Sequence, residues 1–112
     1  MDEQEHRKIM NELEAQQENI RRRKRKKEEN EEIYWDIRRR LRELVHILPE
    51  HWRSSDYFRT LDEFEEELSI NFRKIDSELS EEEEQIEKER KELIQLEEAY
   101  RYEYQKENLK EA

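Results

Sequence analysis

The groups in this chain that could do chemistry are three histidines, His6, His46 and His51, and a large supply of carboxylates. His46 and His51 lie near Glu43 and Glu50, a spacing that permits a weak metal site. A structural zinc site wants four ligands in a tetrahedron, so two histidines near a helix end are more simply read as solvated. Carboxylate pairs abound, such as Glu82 with Glu89. General acid–base catalysis needs a tuned pKa and a water-excluding cleft, and a seven-residue spacing along one helix supplies no cleft. Glycine is absent, so there is no phosphate-cradling loop, and no Ser-His-Asp arrangement stands out. With no cysteine, thiolate chemistry and disulfides are excluded and the redox compartment is left open. The expectation is a protein that is not an enzyme and uses no cofactor or metal.

The other group with chemical potential is the run Arg21 to Lys27, seven consecutive basic residues in a chain of formal net charge -10. Alone it resembles a nucleic-acid arm or an import signal. The acid surplus, the lack of a reading motif and the lack of a zinc-ligand cluster argue against specific nucleic-acid recognition. Seven basic residues on a helix spread around its whole circumference, so only some can face an acidic partner helix and the others could touch phosphate.

The elements that would carry these groups are long helices. Half the residues are charged, only 31% are hydrophobic, and Pro49 is the one proline. A sheet fold needs turns that glycine and proline normally supply, and almost none are signalled. In the first segment Leu13, Ile20, Lys27, Tyr34, Leu41 and Leu48 recur every seven residues, with Gln16, Arg23, Asn30, Ile37 and Leu44 as the companion series. In the second, Phe58, Glu65, Phe72, Leu79, Ile86, Leu93 and Tyr100 form one series and Leu61, Leu68, Ile75, Glu82, Glu89 and Leu96 the other. Phe64 and Ile70 lie beside this seam and widen it, which suggests contact with more than one helix.

Between the segments, Pro49 disfavours the α conformation at Leu48 and removes a backbone donor. Ser54 or Ser55 can cap the next helix, with Asp56 in its first turn. Trp52 falls in the connection, either as a lid over the ends of both seams or as an exposed anchor. The chain is therefore expected to be all-α, one long antiparallel two-helix hairpin of coiled-coil type spanning 1–112. Helix 1 covers about 3–48, the turn about 49–54 and helix 2 about 55–109. No apolar run is long enough to span a membrane and no signal peptide is evident, which gives a cytoplasmic expectation.

Folding the chain at Trp52 sets residues whose numbers sum to about 104–106 side by side, an estimate that follows from an antiparallel hairpin. That register places the basic run opposite Glu81 to Glu84, Tyr34 near Phe72 and Ile20 near Ile86. Charge agrees: 1–48 has thirteen Lys/Arg and twelve Asp/Glu, whereas 49–112 has ten and twenty-one. Exposed ion pairs are individually weak, and their main effect is to set register by penalising like-charge alternatives.

The supply of apolar side chains is thin, and polar residues interrupt both seams. A hairpin alone would leave large side chains partly covered, and such patches usually mark an interface. The expected contributors are Phe64, Phe72, Ile86 and Leu93, with Trp52, Tyr100 and Tyr104 as end anchors. The tyrosines of the tail read equally well as solvated phenols.

The length, two-helix layout, tryptophan at the turn and tyrosine-rich tail resemble the small helical-hairpin proteins of type VII secretion in Gram-positive bacteria. Within that group the chain is most similar to the partner proteins encoded with LXG toxins. The resemblance implies a targeting factor or chaperone that binds the helical N-terminal domain of an LXG toxin. The secreted relatives carry Trp-x-Gly at the turn, where this chain has Trp52, Arg53 and Ser54. Their Tyr-x-x-x-Asp/Glu export signal is also missing, since Tyr100, Tyr102 and Tyr104 are followed four residues on by Tyr104, Lys106 and Asn108. The resemblance then implies the partner without the signal, exported with its toxin if at all, and a second small helical protein that supplies it. The alternative is a self-associating structural coiled coil, a homodimer of hairpins.

Overall fold

A computed structural model describes residues 2–51 and 55–111, with side chains described for 2–47 and 58–110. The described residues form two helices, α1 (Glu3–His51) and α2 (Ser55–Glu111), and no strand. The fold is the expected all-α, antiparallel two-helix hairpin. Trp52 and the cap at Ser54 lie outside the described residues.

Asp2 starts α1. Its carboxylate accepts the N–H of Glu5 at 2.8 Å and its carbonyl accepts the N–H of His6, which satisfies donors a helix start leaves open. At the other end the backbone stays helical to His51, three residues beyond the expected stop at Leu48. Pro49 thus sits in the last turn. Its missing N–H leaves the Val45 carbonyl without the usual helical donor, a loss of one bond that a terminal turn can tolerate.

The chain divides into two compact units, each with a piece of both helices. The terminal unit is Met1–Lys26 with Glu83–Ala112, and the central unit is Lys27–Glu82. In the terminal unit the core is Leu13, Ile86 and Leu93. Ile20 shares grooves with Leu93, and Gln17 bonds to Glu97 across the helices. In the central unit the buried side chains among the described residues are Val45, Leu61 and Phe72, together with Lys27.

The series from Leu13 to Leu41 lies on the seam as expected, but of its companion only Arg23 does. Gln16, Asn30, Ile37 and Leu44 are exposed, while Gln17, Glu31 and Arg38 are half-buried and Val45 is buried. The seam of α1 is therefore rotated by one residue. Arg38 explains it: an arginine stem can lie along apolar surface while its head is paired, so a charged residue takes a seam position and Ile37 is turned out. The register is also offset. Tyr34 meets Phe72 as expected, with ring centroids 6.0 Å apart. Arg23, however, pairs with Glu89 rather than with the Glu81 to Glu84 run. Ile20, expected near Ile86, likewise shares its grooves with Leu93, seven residues further along α2. The rest of the basic run is served mostly from its own helix: Arg21, Arg22 and Arg25 gather around Glu18, and Lys27 meets Glu31 at 2.7 Å.

Candidate interaction surface

A polar network lies in the central unit, where Tyr34 and Arg38 on α1 face Phe72 and Asp76 on α2. Each pair is four residues apart, so each shares one helix face. The Tyr34 hydroxyl donates to Asp76 Oδ1 at 2.9 Å, with the Phe72 carbonyl oxygen at 3.2 Å. Arg38 Nη1 donates to both Asp76 oxygens and to the Tyr34 hydroxyl oxygen. The guanidinium also lies over three rings, 4.8 Å from the Phe72 centroid, 5.0 Å from Trp35 and 5.9 Å from Tyr34. Such placement favours the cation over an aromatic face as well as beside a carboxylate.

The electrostatics follow from these contacts. The hydrogen bond from Tyr34 holds the Asp76 carboxyl below its ordinary range against the opposing effect of burial, with help from Arg38 and the charge of Arg42. Burial raises the Tyr34 phenol, and its bond to Asp76 raises it further. For Arg38 burial acts downward, but the bonds to Asp76 and Tyr34 and their charge outweigh it and the net shift is upward. Such an arrangement locks a register; it leaves no group poised for proton transfer at neutral pH.

A second contact between the helices closes the terminal unit. The His6 ring stacks on Tyr104 with centroids 3.6 Å apart, and its Nδ1 is 2.9 Å from the Tyr100 hydroxyl. Burial raises the Tyr100 phenol above its ordinary range, reinforced by the charges of Tyr104, Glu107 and Glu5.

Of the residues expected at a partner interface, Phe72, Ile86 and Leu93 are buried between the helices, and Tyr100 and Tyr104 are half-buried against His6. Phe64 remains 40% exposed, and Trp52 lies outside the described residues. The larger exposed apolar feature was not anticipated. Ile33, Ile37, Leu44 and Ile47 are 49–59% exposed and follow one another at intervals that keep them on one face of α1. Arg38, Asp76 and His6 were also missed. The four-residue spacings Tyr34–Arg38 and Phe72–Asp76 are a signal that could have found the first two.

Among the described residues no group of three or more His, Asp or Glu is placed to hold a metal ion, and no helix is long and apolar enough to cross a membrane. The Glu50 and His51 side chains lie outside the described residues. No protein-family model, no curated protein and no solved structure matches the chain.

Proposed function

We propose that this chain is a non-enzymatic interaction module that self-associates through helix packing, two hairpins forming a four-helix bundle. The observation that carries this reading is the apolar stripe Ile33, Ile37, Leu44 and Ile47, left uncovered by α2. Four large aliphatic side chains on one helix face are costly to leave in water, and a second helix laid along them removes that cost. The stripe contains one charge, Arg40, which shares the Asp36 carboxylate with Arg39. Light scattering after size-exclusion chromatography tests the reading. A dimer that dissociates on Ile37→Glu or Leu44→Glu, with helicity retained, is the expected result. A monomer at high micromolar concentration overturns it.

A second reading is a cytoplasmic targeting factor or chaperone for the helical N-terminal domain of an LXG toxin. What supports it is the antiparallel hairpin itself, together with a stripe that a helix of an unlike chain could cover as well as a second copy could. Co-expression with an adjacent long helical-domain protein, and with a second small helical protein beside it, tests this. A stable complex weakened by the same two substitutions favours this reading over self-association.

A further inference from the structure

We propose that the groove between Arg38–His46 on α1 and Glu65–Arg73 on α2 binds an acidic peptide segment that carries a bulky apolar side chain between its carboxylates. The groove has a volume of about 440 Å³, within the range of pockets that take a few side chains. Val45, Leu68 and Phe72 form its apolar part, and Arg42, Arg73 and His46 its polar lining. Neither Arg42 nor Arg73 forms an ion pair among the described residues, and both are exposed. Arg38 lines the same groove, and its Nε is buried without a hydrogen-bond partner.

The local charge is the reverse of its surroundings. Residues 27–82 contain seventeen Asp/Glu and nine Lys/Arg, yet in this groove Arg38 is already paired with Asp76, which leaves Arg42 and Arg73 facing the single lining carboxylate of Glu65. A long polyanion laid across the unit would meet that acid surplus, whereas one or two carboxylates reaching in at short range would meet guanidinium donors. The apolar part gives an aliphatic or aromatic side chain a place between them. The occupant is therefore peptide-like, acidic and amphipathic. This site involves none of the stripe residues and stands whether or not the chain self-associates.

A fluorescein-labelled peptide of sequence Asp-Glu-Phe-Glu-Glu-Glu, the pattern this chain itself carries from Asp62 to Glu67, serves as the probe. Titrated with the full-length protein, its anisotropy is expected to saturate in the micromolar range and to weaken with salt. Arg42→Gln and Arg73→Gln, both at exposed positions that leave the core intact, should each reduce affinity about tenfold, the loss of one charge-assisted contact. Replacing the peptide's phenylalanine by alanine should weaken it as well. Equal affinity for a peptide with glutamine in place of every acid, or indifference to both arginine substitutions, overturns the proposal. Tighter binding of a single-stranded oligonucleotide of matched charge overturns it in favour of phosphate recognition.

Discussion

Arg38 Nη1 lies 2.9 Å and 3.1 Å from the two carboxylate oxygens of Asp76, joining α1 to α2 beneath a cage of aromatic rings. The same nitrogen reaches the Tyr34 hydroxyl, so removing either charged partner leaves the others with unmet bonds. Asp76→Asn and Arg38→Met are each expected to lower the melting temperature followed by circular dichroism. The double variant should lose less than the sum of the two, because the second change removes a group the first had already stranded. Strict additivity would show that the two residues stabilise independently.

The same cluster predicts how stability depends on pH at both extremes. Asp76 is more acidic in the folded chain, so its contribution is complete above its ordinary value of 3.8 and is lost as pH falls through the lower folded value. Tyr34 is less acidic in the folded chain, so its contribution is complete below 10.0 and is lost as pH rises through the higher folded value. Glu87, held down by the hydrogen bonds of Arg90, adds to the acid limb, and Tyr100 adds to the alkaline one. Urea unfolding across a pH series should therefore show a shallower acid limb in Asp76→Asn and a shallower alkaline limb in Tyr34→Phe. Unchanged slopes would mean that these groups titrate alike in the folded and unfolded chain.

The middle of the α2 seam was legible because its large apolar residues, Phe72, Leu79, Ile86 and Leu93, repeat every seven positions and are buried or half-buried. Phe58 and Leu96, expected on the same seam, are exposed. The α1 seam was only half legible. Ile37 and Leu44 satisfy the apolar pattern, but Arg38 and Val45 take the inner positions, and periodicity cannot register a cation held by three rings and a carboxylate. His6 gave no periodic signal, since its partners lie at the far end of the other helix. The basic run was expected to answer a distant acidic run, yet three of its arginines share the Glu18 carboxylate one to two turns away on the same helix. Near neighbours on one helix need no loop closure, so they compete well against a cross-helix pair.

Lys27 is 6% exposed and meets Glu31 at 2.7 Å on its own helix. A buried cation costs desolvation energy that ion pairing offsets only in part. Lys27→Met, which keeps the length of the stem, is expected to be neutral or to raise stability by as much as about 1 to 4 kcal/mol. Glu31→Gln should destabilise, because it leaves the ammonium buried with less compensation. If buried polarity also fixes which helices pair, the more stable Lys27→Met variant should give broader oligomer distributions by light scattering. A marked loss of stability in Lys27→Met would show that the ammonium head, rather than its stem, is what the central unit needs.

The stack of His6 on Tyr104 sets a different kind of test, because it ties the first turns of α1 to the last turns of α2. Helix ends fray unless something holds them, and Asp2 satisfies only the backbone donors of this one. Stacked aromatic pairs contribute about 0.5 to 1.5 kcal/mol beyond the area they bury. A double-mutant cycle on His6→Ala and Tyr104→Ala should return a coupling of that size. Hydrogen exchange gives the local readout: in either variant the amides of the first two turns of α1 should exchange faster, while those around Phe72 keep their protection. Faster exchange throughout the chain would mean that the terminal contact supports the whole fold. No coupling and no local change would mean that the two rings meet without holding the ends together.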